Sequence, residues 1–447
     1  MNAFTKSLLL PVFYSISSIS ICLFTGCSNI DEEVANVRTF IRNNWDKTLE
    51  YHPTDTGTLI GLPYPYTVPT ISNESIFREL YYWDIYFTNI GLIIDGKIDL
   101  ARNNTDNILY LVNRFGKMPN GSRTYYLNRS QPPYLSMMVF EMYKITGDKG
   151  WLENAVQVLE KEYQFWMAER ITSCGLNRYS SSAGDDYKIK MAEYLKKRFK
   201  DNVLIDTLTQ QQKIAKGGHH TAEAESGWDF TPRFLNRCED FCPIDLNSYL
   251  FIYEKNFAWF YEELGQPEKI QKWIDAANRR NKLINSYCYN SKDGLFYDYD
   301  FVNNQQSPVI STAMFTTLFA ELASQEQAET LVGSLHLLET KFGVAACRQS
   351  DYHLRYQWGP ENGWAPVHYL VIKGLLNYGF ENDADRIAGK FIDLVVENYQ
   401  KTHNLWEKYN IMDGSTNTVD EYEMPAFLGW TAGVFNFCAE IKAPGEN

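Results

Sequence analysis

The chain has 447 residues and carries 42 Lys and Arg against 55 Asp and Glu, a formal charge of −13. Phosphate binding needs a clustered cationic surface, so this balance argues against nucleic acid as a partner. With 45% hydrophobic and 22% charged residues, the sequence is too apolar for disorder and can build a large core. Its 15% aromatic content has two uses, core filling or flat platforms for apolar sugar faces, and only placement beside polar motifs separates them.

In chain order, residues 1–26 read as an export signal: Lys6 is the only charged side chain, and an apolar stretch runs from Leu8 to Phe24. The end of this stretch, Phe24-Thr25-Gly26-Cys27, resembles a bacterial lipobox. That predicts lipid attachment at Cys27, a tether over residues 27–37, and an exported lipoprotein held to a membrane by its anchor alone, on the periplasmic side or at the outer-membrane surface. The alternative is ordinary signal cleavage with an incidental Cys27. No later segment has the roughly 18 or more uncharged apolar residues that a bilayer span requires. Residues 38–447 read as one domain, because no Pro/Ser linker or charge block divides them, and a monomer is expected.

Helical periodicity dominates from about residue 84. A helix around 133–145 is followed by one whose stripe is Leu152, Ala155, Val156, Leu159, Tyr163, Trp166 and Met167. The polar stretch Ser180–Lys200, with Lys196, Lys197, Arg198 and Lys200, reads as a solvated helix face or loop. Leu250, Tyr253, Phe257, Phe260 and Leu264 mark another helix, stopped by Gly265-Gln266-Pro267 before the next begins at Ile270. Two more hairpins fit 312–324 with 326–340 and 364–378 with 382–398. Helix pairs at this spacing suggest a repeated, all-α architecture, better suited to a closed double ring than to a solenoid. Cys238 and Cys242 are the closest candidates for a disulfide, although buried free thiols are expected for most of the cysteines. No CxxC pair or HExxH-like pattern occurs, so neither a metal nor an organic cofactor is expected.

The chemistry concentrates in the segments between helices. Phe77–Asp84, Glu225–Phe230 and Glu421–Trp430 each combine carboxylates with aromatic rings. A carboxylate between Trp and Phe is poorly solvated and keeps its proton near neutrality, so it can act as a general acid. A second, ionised carboxylate across a pocket could activate water, the two-carboxylate layout of most glycosidases. For any one of these acids, a helix cap or surface ion pair is the plainer role.

Phe77–Phe87 (FRELYYWDIYF), Pro119–Pro133 (PNGSRTYYLNRSQPP), Glu225–Phe234 (ESGWDFTPRF), Gln357–Pro366 (QWGPENGWAP), Glu407–Asn410 (EKYN) and Glu421–Thr431 stand in the order of the trehalase motifs. From about Gly61 to Val434 the chain resembles the trehalases, inverting glycosidases on an (α/α)6 barrel. Carried over residue by residue, the resemblance implies Asp229 as general acid and Glu421 as general base. It implies sugar contacts at Phe77, Tyr81, Trp83, Asp84, Asn120, Arg129, Gln131 and Gly227. An inverting pair stands roughly 6.5–9.5 Å apart, leaving room for water. The residues support these roles independently, since Asp84, Asn120, Arg129 and Gln131 can pair with hydroxyls and Trp83 can stack on a pyranose. Arg129 fits a loop-bracing ion pair nearly as well.

The departures fall on substrate-holding groups. Ile76 stands where the family has Arg, and Ser180–Asp186 replace its Arg-Pro-x-Pro-Glu-Ser loop. Gly359 replaces an Asp, and Ser415–Asp420 replace a glycine-rich run. Glu423, two residues from Glu421, is a competing base, although register against Gly429-Trp430 favours Glu421. The resemblance therefore implies hydrolysis of a small α-glucoside, with α,α-trehalose leading. Another α-linked disaccharide or glycan end, or a non-catalytic sugar-binding lipoprotein, stays open. Of the aromatics, Phe77, Tyr81, Trp83, Trp228, Phe230, Trp358, Trp364 and Trp430 are expected around a pocket.

Overall fold

The computed structural model describes residues 28–71, 76–198, 205–348, 356–419 and 421–442. The export signal and the Cys27 attachment site lie outside them. Runs with apolar residues at three- and four-residue steps are helical: α1 Ser28–Asn44, α2 Tyr82–Ile94, α3 Ile98–Phe115, α4 Leu135–Thr146, α5 Lys149–Glu169, α6 Asp185–Arg198, α7 Gln210–Glu225, α8 Ile244–Glu263, α9 Ile270–Tyr287, α10 Thr316–Phe319, α11 Gln325–Gly333, α12 Ala365–Asn377, α13 Glu381–Thr402 and α14 Gly429–Lys442. Local chemistry sets the boundaries. Gly116 and Gly147 end α3 and α4 in the left-handed conformation, and Asp148 caps α5 by accepting from the Trp151 N–H.

Helices α2, α4, α8, α10, α12 and α14 contact one another in that order, and α14 returns to α2, so six inner helices close a ring. Outside it, α3, α5, α9 and α13 pair with α2, α4, α8 and α12, while α1 packs on α13 and α14. This is the (α/α)6 barrel expected from the sequence. An inner helix is covered on nearly every side, and α12 accordingly buries ten of its 13 residues. An outer helix needs one apolar stripe, and α9 buries four of 18. The ring closes where α2 crosses α14 at glycines. A Cβ on Gly433 would sit 1.9 Å from the Phe87 carbonyl oxygen, and one on Gly91 would sit 2.7 Å from Gly433 Cα. No side chain fits between these backbones.

Four expectations need correction. The tether drawn over 27–37 is, from Ser28, the start of α1, in which Val37 is fully buried. The hairpin expected over 312–324 and 326–340 turns where expected, with Ser324 capping its second helix, but its helices are only the short α10 and α11, flanked by 3₁₀ turns. Cys238 and Cys242 are free thiols. Cys238 is buried in an aromatic cluster with Phe165, Trp166 and Phe241, and the neighbour of Cys242 is Cys174, with sulfurs 3.6 Å apart. The polar stretch 180–200 contains α6, which packs along α7 and reaches the cavity described next.

Candidate active site

The ten predicted site residues converge. Phe77, Tyr81, Trp83, Asp84, Asn120, Arg129, Gln131, Gly227, Asp229 and Glu421 all line one cavity of about 330 Å³ at one end of the barrel. Part of this wall is helical rather than loop. Trp83 and Asp84 stand in the first turn of α2, and Trp430 stands in that of α14.

Asp229 follows the end of α7. There Gly227 turns with φ +73°, and a Cβ at this position would meet Trp83 Cζ2 at 2.9 Å, so the chain passes the Trp83 ring only as glycine. Glu225 ties this turn to its surroundings. Its carboxylate accepts from the Ser130 and Ser180 N–H groups at 2.8 and 2.7 Å and is clasped by both arms of Arg170 at 2.9 Å. Phe230, beyond Asp229, is held at φ +59° while its N–H donates to Glu223 at 2.6 Å. A left-handed Phe is strained, and such strain persists only where surrounding contacts impose it. Burial, then the charge of Glu421, pushes the Asp229 carboxyl up to about 7, with Arg129 opposing. Its Oδ1 is buried without a hydrogen-bond partner among the described residues.

Glu421 is held from two sides. Its N–H donates to Gln357 Oε1 at 3.0 Å, and its Oε1 accepts from the Tyr194 hydroxyl at 2.6 Å. Burial raises its pKa, and Tyr194 and the Arg198 charge oppose the rise. Glu423 is exposed and away from the cavity, in keeping with the register that selects Glu421. Glu407 lines the same cavity and its charge acts on both acids; it is paired with Lys408 Nζ at 2.5 Å and accepts from the Tyr422 hydroxyl. Two short antiparallel strands, Asn362–Trp364 and Lys408–Asn410, place Lys408 opposite Trp364.

Aromatic rings form much of the wall. Trp358 stacks on Trp364 at 3.9 Å with planes 2° apart, and Trp83 meets Trp358 and Trp430 at 5.6 and 5.9 Å. Trp228 and Phe230, expected at the pocket, do not line it. Trp228 is buried behind Trp358 with the Arg233 guanidinium 4.4 Å from its ring, and Phe230 packs with Leu195 and Tyr356. Burial pushes Asp84 up to about 7, aided by the Glu407 charge, so near neutrality it is available as a donor to a hydroxyl. Arg129 makes no ion pair among the described residues. It donates to the Tyr187 hydroxyl at 3.1 Å and its guanidinium lies 5.0 Å from the Tyr126 ring centre.

Sequence reasoning assigned no role to Glu407, Gln357, Tyr126, Tyr422 or Tyr194. The first four lie in or beside the matched motifs and could have been found there; Tyr194 lies in a stretch whose charges masked it. Of the departures, Ile76 lines the cavity, whereas Gly359 does not. Among the residues replacing the missing loop, Ser180 serves as an anchor for Glu225.

A family model described as Trehalase matches residues 27–440. The neutral trehalase Nth1 from Saccharomyces cerevisiae superposes with a TM-score of 0.72 at 28% identity, over 90% of this chain and 80% of that one. A GH63 mannosylglycerate hydrolase from Thermus thermophilus gives 0.62 at 16% identity, over 90% of this chain and 100% of that one. A rhamnosidase from Klebsiella oxytoca gives 0.54 at 12%, over 92% and 64%. The last two are likenesses of fold alone.

Proposed function

The chain belongs to the trehalase family and is a glycoside hydrolase, and from that premise we propose that it hydrolyses α,α-trehalose to glucose by single-displacement inversion. Asp229 is the general acid and Glu421 the general base. The observation that carries this reading is the pair itself: two half-buried carboxyls on separate loops, lining one aromatic-walled cavity, with the charge of Glu421 helping to keep the proton on Asp229.

Asp229 keeps its proton near neutrality and gives it to the glycosidic oxygen as the bond to the anomeric carbon breaks. Glu421 takes a proton from water as the water oxygen bonds that carbon from the opposite face. Two titrating groups in different surroundings separate these roles: Asp229 has an oxygen without a donor, whereas Glu421 receives one from Tyr194. Trp83 and Trp430 offer apolar faces, and Asp84, Asn120, Arg129 and Gln131 offer hydroxyl partners. The cavity stands at the small end of ligand sites, roughly 300–1,000 Å³, which suits a disaccharide better than a polymer.

The Cys27 lipobox supports an exported, lipid-anchored enzyme. A second reading, the same reaction on a different α-linked disaccharide, is favoured by Ile76: an apolar side chain lines the cavity where the resemblance places a cation, and buried polar pairing is what discriminates sugars. Glucose release is measured over trehalose and other α-linked disaccharides, with NMR reading the first-formed anomer. Asp229→Asn and Glu421→Gln are each expected to abolish turnover with the fold intact, and β-glucose is expected first from the cleaved α-linkage. Full activity in either variant overturns the assignment; activity on another sugar and none on trehalose selects the second reading.

A further inference from the structure

Helix α6 occupies the stretch that follows the missing family loop, and its composition, with Lys188, Lys190, Lys196 and Lys197 among its charges, reads as a solvated face. One side of it is not solvated. Leu195 joins Phe230 and Tyr356 in a small cluster separate from the barrel core, with Tyr194 packed against it. The Tyr194 ring lies nearly parallel to His220 of α7, with centroids 6.4 Å apart, and is also 6.4 Å from Phe230, the strained residue next to Asp229. From this braced position its hydroxyl reaches across to Glu421 Oε1 at 2.6 Å, a separation of 227 residues in sequence. Two turns earlier on that helix, Tyr187 accepts from Arg129 of the cavity wall.

We infer that Tyr194 is a positioning residue for the base: its hydroxyl occupies one oxygen of Glu421, fixing the carboxylate's orientation and charge so that the other oxygen faces the attacking water. The inference rests on Glu421 being the base. A carboxylate that must take a proton needs one oxygen accessible and correctly aimed, and a side chain free to rotate meets that need only part of the time. Two holds define the aim here, the Glu421 N–H on Gln357 and the Tyr194 hydroxyl on the carboxylate. In the step itself, the water O–H bond breaks and its proton goes to the second oxygen of Glu421. The water oxygen bonds the anomeric carbon, and the departing glycosidic oxygen takes the proton of Asp229. Tyr194 keeps its own proton throughout.

Charge makes the contact necessary. Glu421 shares the cavity with Asp229, on the loop after α7, and with Glu407, just ahead of the strand Lys408–Asn410, and the Glu407 charge opposes its ionisation. Lys408 on that strand and Arg198 on α6 favour it, but Lys408 is engaged by Glu407. Arg129 acts mainly on Asp229, and the hydroxyl of the adjacent Tyr422 is committed to Glu407. Tyr194 is thus the hydroxyl that donates directly to the base, and α6 supplies both it and the Arg198 charge.

The test is the pH dependence of kcat/KM on the most active α-linked disaccharide for wild type, Tyr194→Phe, Tyr194→His and Glu421→Gln, with melting temperatures for each. Removing the donor makes Glu421 harder to ionise, so the acid limb of the Tyr194→Phe profile is expected to move to higher pH. The expected loss at pH 6 is about tenfold or more, narrowing as pH rises, with KM little changed. Tyr194→His keeps a ring and a donor and is expected to recover part of the loss; its profile decides if the Phe variant folds poorly. A wild-type-to-variant ratio that is the same at every pH, or a Phe variant equal to wild type, overturns the inference. Activity in Glu421→Gln instead overturns the assignment of the base, so the two failures are distinguishable.

Discussion

Replacing Gly227 by Ala tests whether the acid's position depends on the close passage of its loop over Trp83. Two separable effects follow from the geometry. At φ +73° an L side chain is strained by about 1–2 kcal/mol, and a Cβ would lie 2.9 Å from Trp83 Cζ2, inside contact distance. Overpacking a site of this kind costs about 1–3 kcal/mol, so the variant is expected to lose about 2–5 kcal/mol in all. Gly57 provides the control, because it has φ +59°, is exposed, and would have nothing within 4 Å of an added Cβ. Gly57→Ala should show the backbone effect alone. Urea unfolding measures both variants, and kcat/KM on the preferred disaccharide reads the second consequence. If Trp83 cannot yield, the loop must shift, and Asp229 moves with it, two residues on. A displacement of about 1 Å is enough to lower turnover on the order of a hundredfold. Equal destabilisation in the two variants, with wild-type kcat/KM in Gly227→Ala, would refute the reasoning.

Stability should fall as pH rises from 6.5 to 8. Half-buried Asp84 and Asp229 and buried Glu162 are pushed up to about 7 and buried Glu223 to about 8, chiefly by loss of solvation. The folded state therefore holds protons in this window that the unfolded chain has already released, and the loss is about 2–4 kcal/mol over the window. Below it, His220 and His368, held down to about 3 and about 4, act in the opposite sense. Cys174, held down to about 6 by the Cys242 thiol, opposes within the window, so the melting series is run on Cys174→Ser; a flat or rising curve contradicts the account. At the N-terminus, Cys27→Ala is expected to abolish acyl labelling and release the protein from membranes, and a wild type that takes up no acyl label would show an ordinary signal instead.

How much of this was legible in the sequence depends on the kind of signal. Periodicity identified the outer helices α5, α9 and α13, each of which carries one apolar stripe, and gave the order of their hairpins, but it did not single out α3. It did not reveal α1, whose buried Val37 and Ile41 are set among charges, or the shortness of α10 and α11. The ten residues that motif order selected all line the cavity. Motif order missed those whose role comes only from three-dimensional proximity: Tyr194 meets Glu421 across 227 positions. It also mistook two rings. Trp228 and Phe230 flank Asp229 in sequence, but successive side chains leave the chain in different directions, so when Asp229 faces the cavity its neighbours face Arg233 and Tyr356.

The closure of the barrel and the placement of the acid are parts of one chain of contacts. Helices α2 and α14 can cross only because Gly91 and Gly433 leave no side chain between their backbones. That crossing brings their first turns together and sets Trp83 edge-on to Trp430 at 5.9 Å. Trp83 in turn leaves space for Gly227 and for no larger residue, and Gly227 leads into Asp229, while Glu225 clamps the same turn from behind through Arg170. The acid is therefore located by the inner ring together with the Glu225 clamp, to which the loops contribute only the Ser130 and Ser180 backbone N–H groups. Ile76 and residues 180–186, where the chain departs from its family, contribute at the cavity edge and to anchoring but not to the Gly433–Gly91–Trp83–Gly227 contacts. Substitution at those positions can alter which hydroxyls are paired without moving the group that protonates the glycosidic oxygen, which is how one barrel can keep its reaction while its sugar changes.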